Sequence, residues 1–129
     1  QLQSISNHDF KKKIVNLLNI SKVHNYYGMV EQTGSIFMEC KDGFLHSSEY
    51  SDIIIRDALT FEQKGLNEQG LIQLISTIPK SYPGHSILSE DVGEIYGYDN
   101  CDCGRKGTFF KVIGRVEEAE IRGCSDTFT

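Results

Sequence analysis

Two pairs of metal-ligating residues, far apart in the chain, constrain its fold more than any other feature. Cys40 and His46 lie on the two arms of a predicted hairpin, and Cys101 and Cys103 flank one residue of a later loop. Three thiolates and an imidazole form a closed tetrahedral ligand set typical of structural zinc, and thiolates favour zinc over magnesium or calcium. One shared ion would require the hairpin and the loop to meet.

Some of these side chains also have an ordinary structural interpretation. Cys40 could be a small buried apolar residue, and His46 could be a hydrogen-bonded core residue. A Cys-x-Cys pair in a loop is harder to explain in this way, and Gly104 would let the backbone fold tightly around it. We therefore predict a structural zinc site, which leaves Cys124 as the cysteine without a structural assignment.

The remaining pattern predicts one helix followed by short strands. Ser6 and Asp9 form a capping-box variant, and apolar residues at 10, 14, 17 and 18 predict an amphipathic helix over 8–19. The Asp-Gly pair at 42–43 predicts a hairpin turn. We expect strands over 20–23, 35–40, 44–49, 52–57, 71–77, 92–96, 108–113 and 118–122, and hence a mostly-β α+β fold.

Composition narrows the functional classes. The 129 residues predict one domain, and the net charge of -5 argues against nucleic-acid binding. The basic run Lys11–Lys13 is interpreted as the solvated start of the helix.

No stretch is apolar and long enough to cross a bilayer, and no signal peptide is recognisable, so we expect a cytoplasmic protein with reduced cysteines. Because the chain begins on Gln1, we expect a fragment of a longer protein.

Three further positions carry weaker signals of nucleotide binding. The run Tyr27-Gly28 with Glu31 could stack a base and hold Mg²⁺ near phosphates, or it could be a strand-end turn with an exposed carboxylate. Asp91 could bind a ribose diol, although an Asp before a glycine-containing turn is usually turn chemistry. Arg115 ends a predicted strand and could equally belong to a solvated hairpin.

The order of these motifs resembles the later motifs of the adenylate-forming acyl ligases. The matching segments are Tyr-Gly-Met-Val-Glu at 27–31, Ser-Glu-Asp-Val-Gly at 89–93, Gly-Arg-Val-Glu at 114–117 and Ile-Arg-Gly at 121–123. The segments 27–35, 81–86 and 122–126 are similar to the acyl-protein synthetase family, which includes the synthetase subunit of a bacterial bioluminescence fatty acid reductase. The cysteine–histidine set resembles a zinc site of some phenylacetate-CoA ligase-like members.

This resemblance implies specific roles for five residues. Tyr27 would pack near adenine, Gly28 would belong to the same adenylate loop, and Glu31 would help to hold Mg²⁺. Asp91 and Arg115 would lie at the ribose. The implied cofactors are ATP or AMP, Mg²⁺ and structural zinc, and the implied fold is the distorted β-barrel-like antiparallel sheet subdomain of such a ligase.

The resemblance also implies a role for Cys124. Broader ligases continue into a small domain with a catalytic lysine, which these residues do not contain, whereas acyl-protein synthetases use a cysteine near the C-terminus as acyl acceptor. Arg122 and Arg115 would lower its pKa and favour the nucleophilic thiolate. On position alone, Cys124 could equally be an inert thiol in a frayed tail.

The predicted organisation follows from this resemblance. Residues 1–34 would end an α/β nucleotide-binding part, 35–113 would form a zinc-stapled β subdomain, and 114–129 would be a C-terminal arm. The implied partners are a long-chain fatty acid and an acyl-CoA reductase-type protein. We expect the chain to self-associate and to be inactive alone, since it contains no phosphate loop. A CoA-ligase-like fragment and a noncatalytic zinc-stapled interaction module are the alternatives.

Overall fold

The computed structural model describes residues 5–116, which form one helix and one antiparallel sheet. The sheet has seven strands in the spatial order β1-β2-β3-β7-β6-β5-β4 and curls into a half-barrel. The predicted mostly-β α+β fold is confirmed. The elements are α1 (Asn7–Leu18), β1 (Tyr26–Tyr27), β2 (Phe37–Glu39), β3 (Leu45–His46), β4 (Ser51–Arg56), β5 (Gln69–Ser76), β6 (Ser86–Tyr98) and β7 (Thr108–Arg115).

The main core lies on one face of the sheet. Alternate residues of each strand point to one face, so Ile53 and Ile55 of β4 meet Ile72 and Leu74 of β5 there. The strands β4 to β7 follow one another as a meander of six to thirteen residues each. The main buried cluster comprises Phe37, Leu45, Ile53, Ile55, Ile72, Leu74, Ile95 and Phe110.

The predicted hairpin around Asp42-Gly43 is present, with β2 and β3 as its arms. Gly43 has a φ of 80°, a left-handed conformation that glycine adopts without strain. Its N–H donates to the Cys40 carbonyl at 3.2 Å, which closes the turn. Both strands are shorter than predicted, with three and two residues, so the hairpin depends on neighbouring elements for its order.

Two strand predictions need correction. Residues 20–23 form no strand, because the left-handed Asn19 (φ 50°) ends α1 and no neighbouring segment pairs with the residues that follow. The strand predicted over 92–96 instead extends over Ser86–Tyr98, because β5 and β7 together pair with it along nearly its whole length. The strand predicted over 118–122 lies outside the described residues.

A register shift in the middle of β6 helps to curl the sheet. The pairing of β6 with β7 shifts between Val92 and Gly93 and again between Ile95 and Gly97. Such bulges bend a strand and increase its twist. A Cβ atom on Gly93 would lie 2.6 Å from Ile72 Cδ1, so the close approach of the backbone to the core requires glycine here.

Helix α1 is capped as predicted but stands largely apart from the sheet. The Asp9 N–H donates to Ser6 Oγ at 3.1 Å, and the helix has no buried residue. Its apolar residues Phe10, Leu17 and Leu18 are 47%, 78% and 64% exposed. Self-association of the chain stays a prediction. Among the described residues, no helix is long and apolar enough to span a membrane.

One ion pair anchors α1 to the sheet and corrects the interpretation of the basic run. Lys11 is half-buried and its ammonium group donates to the Glu39 carboxylate, which is itself buried. The backbone N–H of Asn25 donates to the same carboxylate at 2.8 Å. Lys11 is therefore part of the packing between helix and sheet, while Lys12 and Lys13 remain exposed as predicted.

Replacing Lys11 with methionine should lower the free energy of unfolding by about 2 kcal/mol, because Glu39 would stay buried without its countercharge. Urea denaturation followed by circular dichroism measures this change. The matched variant Lys12→Met, on the exposed side of the same helix, should change stability by less than about 0.5 kcal/mol. Equal effects of the two substitutions would contradict the anchoring role.

Candidate functional site

The four predicted metal ligands converge at one end of the sheet. Cys40 follows β2, His46 lies on β3, and Cys101 and Cys103 lie in the loop between β6 and β7. Strands β3 and β7 are paired, with His46 opposite Phe109, so this loop lies beside the hairpin. One ligand atom from each of the four side chains lies within 4.8 Å of all the others.

The geometry of this cluster fits a tetrahedral zinc ion. Usual zinc–sulfur and zinc–nitrogen bond lengths give a sulfur–nitrogen separation of about 3.5 Å in a tetrahedron, and Cys103 Sγ lies 3.4 Å from His46 Nε2. Backbone N–H groups of Asp42 and Arg105 donate to the sulfurs of Cys40 and Cys103 at 3.4 and 3.3 Å. Such donors orient thiolate ligands.

The left-handed Gly104, with a φ of 87°, follows the Cys-x-Cys pair. Its N–H donates to the Cys101 carbonyl at 3.0 Å, so the loop turns back on itself immediately after the second sulfur ligand. This is the tight backbone turn that the sequence predicted at this glycine. A residue with a side chain would be strained in this conformation.

The pKa values of three of the four predicted metal ligands are shifted, in different directions. Burial raises the pKa of Cys101 to about 11. Burial opposes ionisation of Cys40 as well, but the N–H groups of Phe44 and Asp42 hold the pKa of its thiol below the usual value. Burial and the charge of Arg105 lower the pKa of His46, which keeps the imidazole neutral. Zinc binds cysteine as the thiolate, so a bound ion would supply the positive charge that favours ionisation of the buried Cys101.

A second cluster joins three of the residues that the sequence singled out for nucleotide binding. The Tyr27 hydroxyl donates to Asp91 Oδ2 at 2.7 Å, and Arg115 Nε lies 3.6 Å from Asp91 Oδ1. Asp91 lies within β6 and is the register partner of Arg115 on β7, so it does not belong to a turn. Tyr27 reaches the pair from β1, at the far edge of the sheet.

The surroundings of Tyr27 hold its phenol in place. Its ring packs against Phe37 and Phe110, with centroids 6.1 and 6.3 Å away. Burial raises the pKa of Tyr27 well above its usual range, and the Asp91 carboxylate raises it further, so the hydroxyl stays protonated. The buried Ser89 accepts the Asp91 N–H at 3.2 Å and donates to the Ile72 carbonyl, which fixes the backbone at Asp91.

Comparison with known protein families finds a match over the whole chain. The model of the family described as acyl-protein synthetase, LuxE, matches residues 1–129. The chain belongs to the acyl-protein synthetase family. The resemblance recognised from the motifs is therefore confirmed, and the family indicates a ligase. None of the curated proteins compared with the chain matches it.

In this acyl-protein synthetase chain, the other two predicted nucleotide residues take no part in the hydrogen bond and ion pair that join Tyr27, Asp91 and Arg115. Glu31 lies exposed on a short 3₁₀-helix and makes no hydrogen bond or ion pair among the described residues. Gly28 is also exposed, and a Cβ atom there would lie 3.1 Å from the Ser35 carbonyl oxygen. Cys124, the predicted acyl acceptor, lies outside the described residues.

Some residues beside the two clusters carried no recognisable role in the sequence. Ser89 lay within a quoted motif, but its support of Asp91 depends on the pairing of β5 with β6. Glu90 contacts Arg115 through a carboxylate oxygen 3.6 Å from the guanidinium. Phe109 packs against His46, and Phe110 packs against Tyr27. In the sequence, two adjacent aromatic residues in a strand indicated only that they pack in a core.

Proposed function

We propose that this chain is the C-terminal part of an ATP-dependent long-chain fatty acid:protein ligase. The acid's carboxylate attacks the α-phosphorus of ATP, pyrophosphate leaves, and an acyl-adenylate forms. The Cys124 thiolate then attacks the acyl carbonyl carbon, the bond to the AMP oxygen breaks, and AMP leaves a thioester on the protein. A reductase-type partner would consume this thioester.

The meeting of Tyr27, Asp91 and Arg115 in a chain of this family is the observation that carries the proposal. These residues are far apart in sequence, yet their polar groups converge on one carboxylate. An ionised carboxylate can accept about four hydrogen bonds, so Asp91 retains capacity for the ribose hydroxyls. The guanidinium of Arg115, on the neighbouring strand β7, supplies a countercharge 3.6 Å from the Asp91 carboxylate. Mg²⁺ and the phosphates would be held by Glu31 and by groups beyond this cluster.

Zinc has a structural role in this proposal. Cys40, His46, Cys101 and Cys103 offer four ligand atoms, the full number for a tetrahedral ion, so a zinc ion held by all four would have no position for substrate or water. When bound, the ion would join the β2–β3 hairpin to the loop between β6 and β7. The ion would take no part in acyl transfer, in which Tyr27, Asp91 and Arg115 would bind the nucleotide and Cys124 would accept the acyl group.

The test is ATP-dependent acylation of the intact ligase that contains this chain. Incubation with a radiolabelled long-chain acid and ATP should place label covalently on the protein, and hydroxylamine should release it as expected for a thioester. Label recovered only as acyl-CoA, after addition of coenzyme A, would favour the CoA-ligase alternative. Absence of both acyl products and of AMP binding would favour the noncatalytic interaction module.

Replacing Asp91 with asparagine should weaken AMP binding by about 10- to 100-fold, because hydrogen bonds to a charged group contribute about 1.5–3 kcal/mol. Isothermal titration of the intact ligase with AMP measures the effect. Glu90→Gln is the matched control, since the Glu90 carboxylate contacts the same guanidinium but is more exposed. Equal loss of affinity in both variants would indicate that general charge, and not Asp91, governs binding.

The isolated 129-residue polypeptide should catalyse no acyl-dependent ATP–pyrophosphate exchange. The Ser/Thr/Gly-rich loop with a lysine, which binds the phosphates in adenylate-forming ligases, does not occur in these residues. Exchange is measured as incorporation of labelled pyrophosphate into ATP, with the intact ligase as positive control. Robust exchange by the polypeptide alone would contradict the proposal that this chain contains only part of the active site.

A further inference from the structure

We propose that metal binding at the Cys40–His46–Cys101–Cys103 cluster holds Tyr27 against Asp91. Phe109 and Phe110 of β7 transmit this effect from the metal cluster to the Tyr27–Asp91 hydrogen bond. Phe110 is then a positioning residue for Tyr27. The consequence for nucleotide affinity rests on the proposed function, whereas the coupling within the sheet does not. The contacts of the two phenylalanines carry the argument.

Phe109 is packed against the metal cluster. Its ring stacks on the His46 imidazole, with centroids 5.8 Å apart and planes inclined by 20°. It also meets the ring of Phe44, in the hairpin between Cys40 and His46, at 5.2 Å. Phe109 is nearly fully buried. A metal that fixes His46 and the hairpin therefore fixes the position of this part of β7.

Phe110 makes the matching contacts on the other side of β7. Successive residues of a strand point to opposite faces, so Phe110 points away from the metal cluster and into the main core. Its ring lies edge-on to Phe37 at 5.3 Å and edge-on to Tyr27 at 6.3 Å. Because Phe110 is completely buried, a shift of β7 at this point changes the space available to Tyr27.

The part of the sheet that carries Tyr27 has little stability of its own. Strands β1, β2 and β3 have two, three and two residues, whereas β4 to β7 have six to thirteen. Among the strands within residues 5–116, β1 is an edge strand whose single neighbour is β2. Strands this short need additional packing or a cross-link to stay ordered. The metal ligands Cys40 and His46 lie on this weak part, and Cys101 and Cys103 lie on the stronger part.

Loss of the metal should therefore open this edge of the sheet locally and leave the rest folded. The 2.7 Å hydrogen bond from Tyr27 to Asp91 would then lose the support of Phe37 and Phe110. By thermodynamic linkage, a metal that strengthens nucleotide binding must itself be bound more tightly when the nucleotide is present, and by the same factor.

Amide hydrogen exchange of the full chain, loaded with zinc and then stripped by a chelator, tests the coupling. Stripping should reduce the protection of amides in β1, β2 and β3 by about tenfold or more, and it should leave those of β4 and β5 unchanged within about twofold. A uniform change across all seven strands, or unchanged protection in β1 and β2, would overturn the proposal.

The zinc-loaded variant Phe110→Leu separates the coupling from general stability. It should reduce protection in β1 and β2 while zinc remains bound, because the leucine side chain keeps the core apolar but lacks the edge-on contact with Tyr27. The control Ile55→Val removes one methylene from the core on β4 and should leave β1 protection intact. Equal loss in β1 for both variants would overturn the positioning role of Phe110.

AMP titrations of the intact ligase with and without zinc distinguish this inference from the proposed function. We expect AMP to bind about tenfold more tightly to the zinc-loaded enzyme, and Phe110→Leu to abolish most of that difference. AMP binding that is equal with and without zinc would overturn the coupling while the proposed function stands. No AMP binding in either form, together with the selective exchange pattern, would overturn the proposed function while the coupling stands.

Discussion

Replacing Cys101 with serine is expected to remove tight zinc binding and to lower the free energy of unfolding by about 4 kcal/mol, when free zinc exceeds its dissociation constant by about a thousandfold. Cys101 is buried, and burial raises the pKa of its thiol to about 11, so it ionises readily only beside a cation. A serine hydroxyl in its place is a poor zinc ligand. The two parts of the sheet would then lose their cross-link.

Metal content by mass spectrometry and urea unfolding with and without added zinc measure these effects. The zinc-dependent part of the stability should disappear in Cys101→Ser, so that variant and wild type become similar after chelation. Cys124→Ser is the matched control, since it makes the same chemical change outside the predicted ligand set, and it should keep one zinc per chain. A Cys101→Ser protein that retains zinc and its full stability would contradict the site.

Replacing Cys124 with serine should abolish covalent acyl labelling of the intact ligase. At neutral pH a serine hydroxyl without an activating base attacks an acyl-adenylate far more slowly than a thiolate does. Labelling with a radioactive long-chain acid and ATP, followed by gel analysis, measures the loss. Zinc content and unfolding should not change, which distinguishes this result from that for Cys101→Ser.

The neighbouring variant Ser125→Ala is the control for local disturbance, and it should keep its label. Retained, hydroxylamine-sensitive label in Cys124→Ser would move the acceptor to another cysteine. Retained label that resists hydroxylamine at neutral pH would be an oxyester on the introduced serine or an amide elsewhere, and Cys124→Ala, which has no hydroxyl group, distinguishes the two. Hydroxylamine-sensitive label in Cys124→Ser, or label that persists in Cys124→Ala, would remove Cys124 from the proposed reaction.

Local features of this chain could be predicted well because their hydrogen bonds lie within a few residues. The cap at Ser6 and Asp9 and the hairpin turn at Asp42-Gly43 are such features, and both are present. The four residues that could bind a metal were equally recognisable, since three cysteines and a histidine limit the choice of ion. The family was recognisable because several short motifs occur in a fixed order.

Features that depend on a distant partner could not be predicted in this way. Residues 20–23 could form a strand only beside a pairing partner, and the fold provides none within residues 5–116. The length of β6 depends on its two neighbours, β5 and β7, which pair with it from both sides. Lys11 looked solvated because its partner, Glu39, is 28 residues further along the chain. The local residue pattern is compatible with a strand or a loop, and with a solvated or a paired lysine, and only the pairing of the strands decides between them.

The sequence by itself therefore determined the ligand types, the turn and cap positions and the family, since these depend on side-chain chemistry and near neighbours. Only the tertiary structure decided that the four predicted metal ligands lie together and that Tyr27 reaches Asp91 across 64 residues. It also decided that Phe109 and Phe110 lie between these two clusters. The physical reason is that strand pairing and burial of the common core select which distant segments become neighbours.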